Sequence, residues 1–303
     1  MSAFVWLLLC QCSREVFTNE NPIPDLDNRV QLTYGPPYSI QLDDRSSHTS
    51  RTVAYHPQSE RALFSRLNST ENAIYLHDFP SGEIRRIIHF ERQGDQGVGQ
   101  LEGYTFLNED SIYVYSRQKR LLALADSSGR VRARYPLTFP DASAELIRPI
   151  PTVSTPQPML IGSEAITLVG YINGEFAEEQ PGNRPVQIQF SLRDSSLRFG
   201  VSYPAFYNGH NWFGAHMRHV YATADAERQH LVYSFPADHY LQVYTADGHS
   251  ARSVYAGSRA IDAILSTTKH WFYDKSARFR YYATTPSYAS IIFDPYRELY
   301  YYR

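Results

Sequence analysis

Three stretches of this chain follow one plan: a short apolar strand, a polar turn closed by glycine, then a strand in which charges alternate with apolar residues. They run from Ala73-Ile74-Tyr75-Leu76 through Gly82 to Ile88, from Leu121-Leu122-Ala123-Leu124 through Gly129 to Tyr135, and from Leu241-Gln242-Val243-Tyr244 through Gly248 to Val254. Alternation with period two sends successive side chains to opposite faces of a strand, so each stretch reads as a hairpin. Hairpins of a second kind, with turns rich in Pro, Asp, Asn or Glu, join Val53–Pro57 to Leu63-Phe64, Tyr104–Asp110 to Ile112–Tyr115, Val220–Asp225 to Leu231–Tyr233 and Ile291–Pro295 to Leu299–Tyr301. Two such hairpins in tandem make a four-stranded antiparallel unit, which is the blade of a propeller. A further unit fits between the second and third copies, with Met159–Ile161, Ile166–Val169 and Val186–Phe190 as strands.

The expected fold is therefore all-β: a β-propeller of four-stranded antiparallel blades, six-bladed with the last blade incomplete at Arg303. The strand Val30–Tyr34 is a candidate for helping to close the ring. A pair of sandwiches would not need the same two-hairpin unit to recur, and a solenoid would need shorter, more regular repeats. Inter-blade loops are expected at 200–219 and 259–280, and no segment shows a long helical period; Asp141–Ile147 has room for one helical turn.

The N-terminus carries a different signal. Phe4-Val5-Trp6-Leu7-Leu8-Leu9 runs straight into Cys10 and Cys12, the only two cysteines of the chain. The run is far shorter than the roughly 20 residues a spanning helix needs, and it has the length of a signal-peptide apolar core. Such a run ending in cysteine resembles a bacterial lipoprotein signal, with Cys10 or Cys12 as the lipidated residue, although Leu9 and Gln11 replace the small residue that usually precedes that cysteine. Residues 1–12 are accordingly assigned to the signal, 13–27 to a polar tether and 28–303 to the propeller, on a bacterial envelope with the membrane reached only through the N-terminal lipid. With both cysteines at the N-terminus, the body has no disulfide framework and no thiolate metal site.

The charge balance excludes one class of partner. Twenty-nine Lys and Arg against 31 Asp and Glu leave a formal charge of −2, so the basic field that nucleic acid rewards is absent. The 24 tyrosines and 16 phenylalanines suit the pleated, half-buried surfaces of strands. The chain is expected to act as a monomer.

Gly94-Asp95-Gln96-Gly97-Val98-Gly99 with Phe106–Val114, Leu231–Pro236, Phe293–Arg297 and the closing Tyr301-Tyr302-Arg303 resemble the corresponding runs of the propeller lipoproteins of Bacteroidetes known as the domain of unknown function 4221 family. The likeness extends from about Val30 onward and rests on turns and strand ends. It implies a six-bladed propeller of the NHL or TolB type, an envelope location and a chain longer than this one, and it carries no established activity, cofactor or catalytic residues.

Motifs with chemistry are sparse. Gly94–Gly99 is glycine-rich but leads into a strand, whereas a phosphate cradle needs a helix start behind it. An inter-blade turn is expected. Neither a GxSxG elbow nor HExxH occurs. Carboxylate pairs Asp43-Asp44, Glu109-Asp110 and Glu178-Glu179 are adjacent, which sends them to opposite faces in a strand. The densest polar-aromatic stretch is Tyr207–His219, and its His210, Trp212, His216 and His219 are the candidate ligand-binding residues. His216 and His219 would share a face in a helix, but no carboxylate accompanies them, so no metal site is assigned and no cofactor is implied. The composite expectation is a non-enzymatic binding or scaffold module for a protein, peptide or glycan. Its alternative is a hydrolase or lactonase with a divalent metal held in the central channel.

Overall fold

The computed structural model describes residues 18–20, 33, 35–57, 62–141, 144, 147–172, 184–212, 215–225, 228–245, 251–267 and 274–302. Cys10, Cys12, all of Val30–Tyr34 except Thr33, Glu178-Glu179 and the Gly248 turn lie outside them.

Strand β1 (Thr18–Glu20) lies within the segment read as a tether. The first sheet has the order β2 (Val53–His56), β3 (Leu63–Asn68), β4 (Ala73–Asp78), β5 (Ile84–His89), and the second β6 (Gly103–Asn108), β7 (Ser111–Ser116), β8 (Leu121–Ala125), β9 (Val131–Pro136). In the third, β10 (Ile150–Pro151) and β11 (Leu160–Ile161) both pair with β12 (Ala165–Tyr171), which is followed by β13 (Gln187–Ser191) and β14 (Leu197–Phe199). Because Ile150 lies opposite Tyr171 and Leu160 opposite Thr167, β10 and β11 are two halves of one first strand, broken by the loop 152–159. The fourth sheet runs β15 (Tyr221–Asp225), β16 (His230–Ser234), β17 (Tyr240–Thr245), β18 (Ala251–Tyr255). Then β19 (Ala263–Leu265) pairs with β1, and β20 (Ile291–Asp294) pairs with β21 (Leu299–Tyr302).

Apolar alternation decides how these sheets stack. Leu67, Ile74 and Ile88 of the first sheet share a buried cluster with Tyr104, Ile112 and Val114 of the second. Tyr113, Tyr115 and Leu122, on the second sheet's other face, meet Ile166, Leu168 and Ile188 of the third. Val169 and Val186 of the third meet Ala222, Leu231 and Tyr233 of the fourth, whose Val232, Leu241 and Val243 meet Ile291 of β20. Sheets that each bury both faces against the previous and the next are the blades of a β-propeller. The remaining face of the first blade is covered by the strap 38–50: Tyr75 donates its hydroxyl to Asp43 (3.0 Å), Asn68 Nδ2 to Arg45 O (3.0 Å), and Arg66 its guanidinium to Ser47 O.

The hairpin glycine at 129 is required by its surroundings. Gly129 has φ +83°, and a Cβ there would stand 2.2 Å from His89 O. The Gly94–Gly99 run is an inter-blade turn between β5 and β6. It is held on the second blade by Arg134, which donates to Gly97 O (2.9 Å) and Asp95 O (2.5 Å), and by Gln96 Oε1, which accepts from the Val131 N–H (2.7 Å).

Two elements differ from the sequence expectation. A ten-residue helix, α2 (Lys275–Thr284), follows the shorter α1 (Ala215–Arg218) and occupies a stretch partly read as loop. Its N-cap Asp274 accepts from the Ala277 N–H at 2.9 Å. Tyr281 is buried while Phe279 and Tyr282 are exposed, so its aromatic residues form no single apolar stripe and no helical period is visible. The broken first strand of the third blade is the other difference, because Pro149, Pro151, Pro156 and Pro158 read as loop. Ala144 and Ile147 are helical, in line with one turn over Asp141–Ile147.

Candidate functional site

A blade that begins with its innermost strand presents the start of that strand on one rim of the propeller, and every blade built alike does so on the same rim. The innermost strands are β2, β6, β10 with β11, β15 and β20; β20 lies beside β15, where the Phe293 N–H donates to Thr223 Oγ1 at 3.3 Å. Arg51, Arg148 and His219 stand two residues ahead of β2, β10 and β15, and Glu102 stands one residue ahead of β6. One position thus holds Arg51, Arg148 and His219 in three blades, while Glu102 lies one residue out of that register.

These residues sense one another. Tyr171, at the end of β12, stacks on His219 with ring centroids 4.8 Å apart and planes 18° apart. Burial lowers the His219 pKa, and the Arg51 charge lowers it further, so at neutral pH the imidazole is uncharged and available for hydrogen bonding. Burial raises the Tyr115 pKa, with Glu102 raising it and Arg148 and Arg117 lowering it, which places those charges around the same rim. Glu102 is offset by Arg117, whose Nε lies 3.4 Å from Glu102 Oε1. Arg51 is exposed, and among the described residues its guanidinium has no carboxylate partner.

The axis beneath the rim is partly filled. The loop 152–159 leaves the third blade and reaches the first, where Thr155 N–H donates to Arg51 O (2.9 Å) and Val53 N–H donates to Thr155 Oγ1 (2.8 Å). It also crosses the second blade, since a Cβ on Gly103 would stand 2.3 Å from the Val153 side chain.

The structure separates the four sequence-predicted residues. Trp212 is 3% exposed and packs on Phe206, Tyr207 and His210, with centroids 5.7, 5.4 and 6.4 Å away. It belongs to the cluster between the third and fourth blades. His210 is half-buried beside it, with a pKa lowered by burial. His216, on α1, lies edge-on to Tyr282 at 4.7 Å and against Tyr281 at 5.7 Å, and burial with the nearby His219 lowers its pKa to about 4. The two histidines are close enough to repel, yet their rings turn to different neighbours. Only His219 joins the rim; Arg51, Arg148 and Tyr171 were not among the candidates. The channel-metal alternative needs acidic and histidine donors converging from separate blades, and among the described residues no three His, Cys, Asp or Glu side chains come together.

Fold and site together define a β-propeller whose strand ends bring Tyr171 onto His219. The chain belongs to the family described as Domain of unknown function (DUF4221), whose family model matches residues 37–303. The crystal structure of a DUF4221 member from Bacteroides vulgatus superposes with a TM-score of 0.76 at 17% identity, covering 90% of this chain and 75% of that one. More distant likenesses are a "Putative exported protein" from Bacteroides fragilis (TM-score 0.43, 9% identity, 73% of this chain and 54% of that one) and virginiamycin B lyase from Staphylococcus aureus (TM-score 0.38, 12% identity, 70% and 57%). No curated protein matches the chain significantly.

Proposed function

We propose that the protein is a bacterial envelope lipoprotein, tethered through Cys10 or Cys12, that presents its propeller as a non-enzymatic binding or scaffold module for a protein, peptide or glycan. The observation that carries the reading is the stack of Tyr171 on His219, from the third and fourth blades, with the exposed Arg51 of the first blade at the position ahead of its strand that His219 holds in the fourth. Such a cluster supplies an exposed cation, an aromatic surface and a neutral imidazole on rigid strand ends, a combination suited to recognition. The apolar run before Cys10 supports the tether.

The test is affinity capture from detergent-solubilised native envelopes with the wild-type chain and with Arg51→Glu, analysing both proteins and carbohydrate in the eluate. A component retained by the wild type and lost by the variant is expected. Nothing above background with the wild type overturns the reading.

A further inference from the structure

Building on the lipid tether of that reading, we infer that helix α2 (Lys275–Thr284) is a membrane-contact site that docks on the surface of an anionic phospholipid bilayer. The helix turns only part of itself to the protein. Tyr281 is buried and donates its hydroxyl to Leu265 O at 2.8 Å, which fixes α2 on β19. Phe279 and Tyr282, three positions apart and so neighbours on one face, are 71% and 58% exposed. The His216 ring lies edge-on to Tyr282 at 4.7 Å and braces it. Lys275, one turn back from Phe279 on the same face, is exposed, as is Arg280. Three basic residues, Lys275, Arg278 and Arg280, and no acidic one lie within the helix, and the Asp274 carboxylate ahead of it is used as the N-cap. Aromatic rings flanked by basic side chains settle at the boundary of headgroups and acyl chains, with the cations against anionic lipid.

The position of the helix decides between a bilayer and a partner free in solution. In the pairing of β1 with β19, Thr18 lies opposite Leu265, the residue whose carbonyl Tyr281 holds. Leu265 itself is 46% exposed and adds an apolar side chain beside the helix. Cys12 stands six residues before Thr18 and Cys10 eight. Even fully extended, such spans reach only about 20 to 30 Å. A lipid on either cysteine therefore holds α2 within that distance of the bilayer. A patch kept so near a surface meets it at a high effective concentration, so a contact of few side chains suffices.

The test is cosedimentation of the full chain carrying Cys10→Ser and Cys12→Ser, which no lipid can anchor, with two kinds of vesicle at low and high NaCl. One is phosphatidylcholine alone, the other equimolar phosphatidylcholine and phosphatidylglycerol. Binding to the anionic vesicles is expected to exceed binding to the neutral ones by about tenfold and to fall at high salt. In the same background Phe279→Ser, which removes the exposed ring, and Lys275→Glu/Arg280→Glu, which reverses the charge, each weaken that binding by about tenfold. All three side chains are exposed, so the fold is kept. No binding to the anionic vesicles, or no preference for them, overturns the inference. Binding unchanged by both helix variants overturns it as well and assigns the contact to the apolar run Phe4–Leu9. Helix-dependent binding with no fatty-acid label on the wild-type chain removes the tether and leaves the helix contact, whereas a labelled wild type with helix-independent binding removes the helix contact and leaves the tether.

Discussion

Thr155 closes the open backbone edge of Val53: its hydroxyl accepts the Val53 N–H at 2.8 Å and lies 3.2 Å from Val53 O, joining the third blade directly to the first. The innermost strand of a blade has no partner on its axial side, and an uncapped edge is where unpaired backbone groups invite foreign strands. Thr155→Val keeps the shape and the Thr155 N–H bond to Arg51 O but removes the hydroxyl. Losing the hydroxyl's bonds to Val53 at a partly solvated edge is expected to lower stability by about 1–2 kcal/mol. Urea denaturation reads this directly, and a variant as stable as wild type would show that water replaces the hydroxyl without loss.

Two half-buried histidines make stability depend on pH. His56 bonds Ser65 Oγ at 2.7 Å and lies 4.7 Å from the Phe106 ring, and burial lowers its pKa to about 4; His216 is lowered to about 4 by burial and by His219. Both are neutral in the native state, with folded values below the ordinary 6.5. Their contribution is complete above about pH 6.5, is lost as pH falls toward about 4 while the unfolded chain takes up protons the native state refuses, and is flat below that. Unfolding free energies of wild type and of His56→Gln/His216→Gln, measured from neutral pH down to about 4.5, are expected to diverge in slope, the wild type falling more steeply. Parallel slopes would mean that the folded histidines titrate normally.

The blades were legible because their hairpins are local: strands such as Ala73–Leu76 and Glu83–Ile88 lie on either side of a glycine turn that the sequence shows directly. The rim was not, because Tyr171 and His219 are distant in the chain and meet only when the blades stack into a ring. A signal did exist. Aligning the repeats on their first strands puts Arg51, Arg148 and His219 at corresponding positions, whereas local density of histidine and aromatic residues pointed to Tyr207–His219. That density has a packing cause: Tyr207 and Trp212 fill the space between the third and fourth blades. The break at 152–159 escaped notice because its prolines conceal that β10 and β11 continue one strand.

Trp212 tests the packing assignment. It is buried at 3% exposure against Phe206 and Tyr207, and Tyr207 is fixed by donating its hydroxyl to Met217 O at 3.1 Å. Trp212→Ala leaves a cavity between two blades and is expected to cost about 3–5 kcal/mol, with Trp212→Phe losing less because a ring still fills part of the space. Chemical denaturation of the two variants provides the measurement. A change below about 1 kcal/mol for Trp212→Ala would place the indole outside the core.

The N-terminal cysteines test the proposed lipid tether. The apolar run Phe4–Leu9 ends at Cys10, and Cys12 lies two residues further on. If one of them carries lipid, metabolic labelling with an alkyne fatty acid in a bacterial host marks the full chain, and removing the correct cysteine abolishes the label and releases the protein from the membrane fraction. Cys10→Ser and Cys12→Ser separate the two positions, since the lipidated cysteine becomes the first residue of the mature chain and the other does not substitute for it. The expected result is loss of label and membrane association in one single variant only. Equal labelling of both single variants, or none of the wild type, would leave the propeller without a lipid tether.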